Sequence, residues 1–264
     1  MKRLLVIALS AAAAVGIWQW SRLAGPEDSP AAPETQTSPA SWLERLYSQN
    51  PREVESATRE VEALGADALP AIQTALRDPQ AEADRLKGAL KACGILGQRA
   101  APAIPEVAAV LTEQGLTAEA AIALSFMGRD AFPPLRGALS SDDAIVRREA
   151  LRSIGKLRER AGLETELILP VLVNGLKDRD EGVRAVAATY LGIIHEAPAD
   201  TVPPLIAALS DPDPEVRRSS AAALGSFDPV AAAPALPALR KASTDRNEDV
   251  AREAGRAIVK LQGK

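Results

Sequence analysis

A short sequence pattern recurs at intervals of 28 to 37 residues throughout residues 41–264. Its first marker is a proline followed two positions later by an aliphatic residue: Pro70/Ile72, Pro105/Val107, Pro133/Leu135, Pro170/Leu172, Pro203/Leu205 and Pro237/Leu239. Its second marker is a glycine after an aliphatic stretch: Gly65, Gly97, Gly128, Gly155, Gly192 and Gly225. Repeats of this period are typical of folds that stack small supersecondary units. The period therefore limits the fold more than any other feature.

Each repeat predicts two antiparallel helices. Proline is tolerated in the first turn of a helix, where its missing N–H would be unpaired anyway, so the proline marker predicts the start of a first helix, A. A polar turn follows, and in one unit Asp213 is the predicted N-cap and Pro214 the first residue of a second helix, B. Helix B carries a stripe of a valine, a small residue and an aliphatic residue: Val146/Ala150/Ile154, Val183/Ala187/Leu191, Val216/Ser220/Leu224 and Val250/Ala254/Ile258. The marker glycine is then the expected left-handed stop of helix B.

Neither helix can bury its apolar stripe alone, so the pairs have to stack side by side. We therefore predict an all-α fold, an α-solenoid of about seven stacked antiparallel helix pairs that forms one domain over residues 41–264. The predicted units are 41–65, 66–97, 98–128, 129–160, 161–196, 197–227 and 228–264. The first unit has Trp42 and Tyr47 but no opening proline, and the last unit ends in polar residues. Both departures are typical of capping repeats.

Residues 1–40 have a different character. Lys2 and Arg3 precede an apolar run from Leu4 to Trp20, and we interpret residues 1–23 as a targeting helix. Two alternatives are open, an uncleaved signal anchor and a signal peptide cleaved after the small residues 12–14. The anchor is favoured because cleavage would leave an apolar new N-terminus. Residues 24–40 are rich in proline, alanine and serine, which predicts a disordered linker.

The targeting helix predicts a location in the cell envelope. The anchor would contact the inner membrane and hold the repeat domain outside the cytoplasm, because positive charges stay on the cytoplasmic side. A cleaved signal would leave the domain periplasmic or secreted. The formal net charge is −4, whereas nucleic-acid-binding domains present strongly basic surfaces. We therefore predict no nucleic-acid partner.

The repeats resemble HEAT repeats of the short type found in phycobilisome lyases. The resemblance rests on the proline opening, on the aspartate of the turn between helices A and B, and on the Val-Arg dipeptide of helix B. Asp178/Arg184 and Asp211/Arg217 are six residues apart, and Ser141/Arg147 keeps this spacing with Asp142 alongside. In this family such side chains form a ladder along the solenoid. The resemblance thus implies a structural role for Asp178, Arg184, Asp211, Arg217 and Arg147.

The same resemblance brings two enzyme alternatives. Deoxyhypusine hydroxylase is a HEAT-type enzyme that holds two irons with several His-Glu pairs, but this chain has one such pair, His195-Glu196. A bilin lyase is the second alternative, and the single Cys93 would be its candidate thiol. We interpret His195 as a surface residue near a helix end and Cys93 as a buried thiol. We predict no catalytic residue, no metal site and no cofactor.

The favoured function is a non-catalytic scaffold that binds protein partners on the concave face of the solenoid. Arg148, Arg152 and Lys156 are four residues apart and form a basic strip, which is the candidate partner-binding site. A purely structural spacer in an envelope complex is a further alternative. HEAT arrays carry out many roles, so the resemblance is more specific for the fold than for the function.

Overall fold

The computed structural model describes residues 41–113 and 115–263, and all regular structure in these ranges is helical, which confirms the predicted all-α class. The α-helices of the described ranges are α1 (Ser41–Arg45), α2 (Pro51–Leu64), α3 (Leu69–Arg77), α4 (Ala83–Leu96), α5 (Ile104–Ala109), α6 (Thr117–Phe126), α7 (Phe132–Ala138), α8 (Ala144–Ala161), α9 (Thr165–Gly175), α10 (Glu181–Ile194), α11 (Pro198–Ala208), α12 (Pro214–Leu224), α13 (Leu236–Ala242) and α14 (Glu248–Leu261). The predicted targeting helix and linker, residues 1–23 and 24–40, lie outside the described residues.

From α3 onward the helices alternate between two layers. The A layer holds α3, α5, α7, α9, α11 and α13, and the B layer holds α4, α6, α8, α10, α12 and α14. Each A helix packs against the B helix that follows it, and each B helix packs against the next B helix. The core is a continuous band of small and aliphatic side chains between the layers. Burial therefore comes from stacking one pair on the next, as in other repeat folds.

The first pair differs from the others. Helices α1 and α2 both pack against α4, as well as against each other. Trp42 and Leu43 of α1 and the nearby Leu46 are fully buried. In later repeats each B helix packs against the B helix before it. No such helix precedes α4 in the described chain, and α1 and α2 pack against it instead. The first pair thus closes one end of the solenoid.

From α8 onward, the turns between helices A and B are held by side-chain caps. Asp213 accepts hydrogen bonds from the backbone N–H groups of Glu215 and Val216, and Pro214 is the first residue of α12. The predicted cap is therefore confirmed. Asp143 caps α8 and Asp180 caps α10 in the same way. These caps fix where each B helix begins.

The proline marker is a helix start in some units and not in others. Pro70, Pro105 and Pro133 stand in the first turn of an A helix, as predicted. Pro170 and Pro203 instead lie inside α9 and α11, so the prediction was wrong there. In the units of Pro70, Pro105 and Pro133 a 3-10 helix precedes the proline, at Gly65–Ala68, Gly97–Ala103 and Arg129–Ala131. In the two exceptions the preceding turn is α-helical, and it extends the helix by more than a turn at its N-terminal end.

The glycine marker also has two structural meanings. Gly65, Gly97 and Gly128 have positive φ angles and end their helices, as predicted. Gly155 and Gly192 lie inside α8 and α10, so that prediction was wrong for them. The left-handed caps of these helices are Gly162 and His195. Gly225 follows α12 but is right-handed, with φ −72°.

The glycines within the B layer are explained by close helix contact. A Cβ atom at position 192 would lie 2.6 Å from the Cα atom of Ala223, and one at position 225 would lie 3.0 Å from the Cα atom of Ala257. At position 155 it would lie 2.2 Å from the ring of Tyr190. Real carbon atoms do not approach this closely without a shift of the neighbouring atoms. Here glycine is required by packing between neighbouring repeats, and not by backbone conformation.

Candidate functional site

The B helices present one side to the A layer and the other side to solvent. We call the solvent side the B-face, and the predicted basic strip lies on it, on α8. Arg148, Arg152 and Lys156 are spaced by four residues and so share one side of the helix. Their side chains are half-buried. The structure therefore places all three predicted residues along one line of the B-face.

Two residues of the basic strip are engaged by an acidic neighbour. Glu149 is largely buried, and its carboxylate lies 3.4 Å from Nε of Arg148 and 3.3 Å from Nη1 of Arg152. A buried carboxylate needs such partners, because its desolvation would otherwise be costly. Arg148 and Arg152 thus stabilise a buried carboxylate as well as forming part of the basic strip. The local charge of the strip is lower than the sequence suggests.

Lys156 is different. No carboxylate of the described chain lies within ion-pair distance of its Nζ atom. Burial, together with the positive charges of Arg160 and Arg152, lowers the pKa of Lys156. Both causes act in the direction expected where like charges collect on a partly desolvated surface. The centre of α8 therefore carries positive charge that Glu149 and Glu159 only partly offset.

A second feature of the B-face was not predicted from the sequence. An apolar groove of about 370 Å³ lies between α4 and α6, and Tyr47 closes one side of it. We define the groove by its main apolar lining residues, which are Tyr47, Leu90, Ile95, Ile122, Ala123 and Phe126. Ile122 and Phe126 leave 46% and 38% of their surface exposed. Large apolar side chains rarely cluster in solvent on a monomeric protein without a partner to cover them.

The apolar groove and the basic strip are continuous. The guanidinium of Arg160, one turn after Lys156 on α8, lies 3.6 Å from the ring centroid of Phe126 on α6. It also donates a hydrogen bond to the hydroxyl of Ser125. On the opposite side, Nζ of Lys87 lies 5.1 Å from the ring centroid of Tyr47. Such cation–π contacts hold charged groups against aromatic faces. The groove therefore has positive charge on both of its sides.

The arginines of the Asp–Arg pattern each connect two neighbouring repeats. Arg147 donates two hydrogen bonds to the carboxylate of Asp178, of 2.9 and 2.8 Å. Arg184 binds Asp211 and Arg217 binds Asp245 in the same bidentate manner. Each aspartate belongs to the turn of the next repeat. Bidentate contacts of this kind are stronger and more directional than single hydrogen bonds.

Within its own repeat, each arginine binds backbone. Nη1 of Arg184 donates to the carbonyl of Asp178, six residues earlier, at 3.0 Å. Nη1 of Arg217 donates to the carbonyl of Asp211 at 2.9 Å. The spacing of six residues therefore reflects a contact to a main-chain oxygen, which any residue supplies. This explains why Ser141 can stand six residues before Arg147, whose Nη1 donates to the Ser141 carbonyl at 2.9 Å.

The acidic members of the ladder are held in their charged form. Burial alone would raise the pKa of Asp211, but hydrogen bonds from Arg184 and from the N–H of Asp213 outweigh it and lower the pKa. The same balance lowers the pKa of Asp178. For Asp245 the hydrogen bonds from Arg217 are the largest cause, and they lower its pKa against a smaller effect of burial.

These shifts predict a loss of stability in acid. A carboxylate whose pKa is lowered by folding contributes stability that is present above its unfolded pKa, about 3.9 for aspartate, and is lost as the pH falls through the folded value. We expect the free energy of unfolding to fall steeply below about pH 4. Urea unfolding at pH 7, 5 and 3 measures this, with Asp245→Asn as the comparison. An equal loss in the variant and the parent chain would contradict a contribution from Asp245.

The two residues considered for chemistry occupy inert positions. His195 is exposed at the left-handed cap of α10, and its Nδ1 atom lies 2.9 Å from the carbonyl oxygen of Ile193. Glu196 is paired with Arg158. Cys93 is fully buried in α4, and burial, helped by the charge of Glu106, raises the pKa of its thiol to about 12. A reactive thiol needs a lowered pKa and access to solvent.

The described residues hold no group of three or more histidine, cysteine, aspartate or glutamate side chains arranged to bind a metal ion. No helix among them combines the length and the apolar character that a bilayer span requires.

The two layers of paired helices define the chain as an α-solenoid. Residues 169–260 match the family model for HEAT repeats. This part of the chain thus consists of HEAT repeats, as the resemblance in its sequence predicted. No curated protein matches the sequence.

Solved structures with a similar fold include the crystal structure of Kap121p, with 16% identity and a TM-score of 0.61 over 80% of this chain and 28% of that one. The structure of Kap121p bound to Pho4p is similar at 16% identity, with a TM-score of 0.62 over 84% of this chain and 29% of that one. The chain thus spans less than a third of the length of these structures. Identity this low shows a common fold and not a common function.

Proposed function

We propose that this protein is a non-catalytic scaffold that binds another protein on its B-face, which we take to be the concave side of the solenoid. The observation that carries the proposal is the combination of exposed apolar side chains and an excess of positive charge on one continuous surface. Ile122 and Phe126 stand beside Arg160 and Lys156 on neighbouring B helices. Binding surfaces commonly combine an apolar centre with charged groups around it.

The fold supports the same proposal. Stacked helix pairs provide a long open surface, which suits extended or helical segments of partner proteins. One of the similar solved structures is a complex, Kap121p bound to Pho4p. The buried state of Cys93 and the exposed, solitary position of His195 favour a scaffold over the lyase and hydroxylase alternatives.

We further propose that residues 1–23 anchor the protein in a membrane and that the repeat domain lies outside the cytoplasm. The support is the order of Lys2 and Arg3 before the apolar run from Leu4 to Trp20, because positive charges stay on the cytoplasmic side of a membrane. Residues 24–40 would then separate the repeats from the membrane surface.

Chemical cross-linking in intact cells, followed by purification of the full-length chain from membranes and mass spectrometry, tests the scaffold. We expect one abundant partner, and we expect Lys156→Glu to reduce its recovery about tenfold through loss of a central charge contact. Lys156 is the right residue to change because Arg148 and Arg152 also hold the buried Glu149. Lys177→Glu, at an exposed position after α9, is the matched control.

Two other results would overturn the proposal. Bound pigment or iron in the purified chain, without a partner, would support an enzyme. A partner whose recovery survives every substitution on the B-face would support a purely structural spacer. Recovery outside the membrane fraction with the first residues missing would instead show a cleaved signal.

A further inference from the structure

The chemistry of the B-face specifies the kind of partner segment. We propose that the apolar groove and the adjoining positive side of α8 form one docking surface for an acidic amphipathic helix of a partner protein. Its apolar side chains would enter the groove, and its carboxylates would face Lys156 and Arg160. This inference rests on the proposed scaffold function and deepens it.

Several cations around the groove have no acidic partner within the protein. Within the described chain, Lys87, Lys91, Lys156 and Arg160 have no carboxylate at ion-pair distance. The nearest acidic group of the lining, Glu119, accepts a hydrogen bond from the Tyr47 hydroxyl at 3.3 Å. The surface therefore presents more positive charge than the protein itself compensates. Complementary charge on the partner must be negative.

The cations are held in fixed positions at the edges of the groove. Lys87 is held over the ring of Tyr47, and Arg160 is stacked on Phe126. Nζ of Lys91 donates to the carbonyl of Leu46 at 2.9 Å. These contacts fix the charged groups at the edges of the groove, so a ligand meets them without further ordering. Such preorganisation lowers the entropic cost of binding.

The surface is long enough for a short helix. It crosses three neighbouring B helices, α4, α6 and α8. Packed helices are separated by about 8–10 Å, so the distance across the surface from α4 to α8 is roughly 16–20 Å. A helix of about fourteen residues, rising 1.5 Å per residue, spans this distance. We therefore expect the apolar residues of the partner helix to lie over the groove and its acidic residues to include the end that lies over α8.

Site-specific photocross-linking in cells tests the inference. The photoreactive residue benzoylphenylalanine replaces Ile122 in the full-length chain, and the cross-linked peptide is sequenced by mass spectrometry. Ile193 on the B-face of α10 and Val230 after α12 serve as comparison positions, because both are well exposed. We expect position 122 to capture a protein segment with apolar residues three or four apart and with clustered acidic residues.

Each other outcome has a definite meaning. Capture at Ile193 but not at Ile122 would show that the groove is not the docking site, and it would still agree with the scaffold function. Capture of a lipid, of a second copy of this chain or of a basic segment at position 122 would overturn the proposed partner. Equal capture at Val230 would show that the groove has no preference. No capture at Ile122 or at Ile193 would overturn both the inference and the scaffold.

A binding measurement then tests the two halves of the surface separately. The probe is a synthetic peptide of the captured segment, titrated against the purified full-length chain. We expect Ile122→Glu and Lys156→Glu each to weaken binding about tenfold, and Val230→Glu to leave it unchanged. A peptide with lysine in place of its acidic residues should bind Lys156→Glu better than it binds the parent chain. If Lys156→Glu changes the binding of neither peptide, the inference that the partner segment is acidic is wrong.

Discussion

Replacing Arg217 with alanine is expected to lower the free energy of unfolding by about 3 kcal/mol. The side chain of Arg217 is 8% exposed and that of Asp245 is 14% exposed. Alanine would leave the Asp245 carboxylate with the N–H of Asn247 but without its charged partner, and the carbonyls of Asp211 and Pro212 would lose the arginine donor. Removing one partner of a largely buried ion pair typically costs 3–5 kcal/mol, because the remaining charge stays desolvated. Urea unfolding followed by circular dichroism measures the loss.

The next residue in the chain supplies the control. Arg218 pairs with Glu215 one turn away on the same helix, and both side chains are well exposed. Exposed pairs of this kind are worth at most about 1 kcal/mol, so Arg218→Ala should change the free energy of unfolding by less than about 1 kcal/mol. Equal losses in the two variants would show that the connection between repeats does not stabilise the fold.

A double-mutant cycle separates the ion pair from the backbone contacts. Asp245→Ala combined with Arg217→Ala removes both charges, and the second substitution should then cost less than it does alone. In a repeat protein the contact also couples neighbouring units. We therefore expect the unfolding transition of Arg217→Ala to broaden, as the last repeat begins to unfold separately from the others.

The ladder shows what a sequence pattern can and cannot predict. The spacing of Asp211 and Arg217 is visible in the sequence, and a structural role follows from the resemblance to HEAT repeats. The actual partners, Arg217 with Asp245 and Arg184 with Asp211, are 27 or 28 residues apart. This pairing depends on how one repeat sits on the next. A local spacing carries no information about that geometry.

The candidate site was only partly predictable for the same reason. The basic strip could be predicted because Arg148, Arg152 and Lys156 lie on one helix. The apolar groove joins α4, α6 and Tyr47, three separate parts of the chain. One signal was present: α6 is apolar on nearly all sides, and a helix of that kind is either fully buried or exposes an apolar surface. Only the packing of its neighbours decides between these two outcomes.

The prediction that Gly155 and Gly192 end their helices was wrong because glycine has two uses in a helical repeat. It can adopt a positive φ angle at a helix end, as Gly97 does, or it can allow close contact between two helices, as Gly192 does. Both uses place glycine after an aliphatic stretch of helix B. The sequence alone gives the same marker for each, and the distance to the next repeat distinguishes them.

The helix-contact role predicts that Gly192→Ala is strongly destabilising. The added Cβ atom would stand 2.6 Å from Cα and 2.8 Å from Cβ of Ala223. Because one of these atoms belongs to the backbone of α12, rotation of a side chain cannot relieve the overlap. The two helices have to move apart, and overpacking of this kind costs typically 1–3 kcal/mol. We expect a loss of about 3 kcal/mol in urea unfolding, at the upper end of that range.

Gly255→Ala provides the opposite result in the same kind of helix. Gly255 lies in the middle of α14, and an added Cβ atom there would meet nothing within 4 Å. Alanine is favoured over glycine in a helix interior by about 1 kcal/mol, so this variant should gain up to that amount. Opposite signs at positions 192 and 255 would show that contact between repeats, and not helix propensity, requires glycine at position 192. A gain at both positions would mean that α10 and α12 can separate at little cost, and the closeness of the two helices would then not be a stabilising feature of the stack.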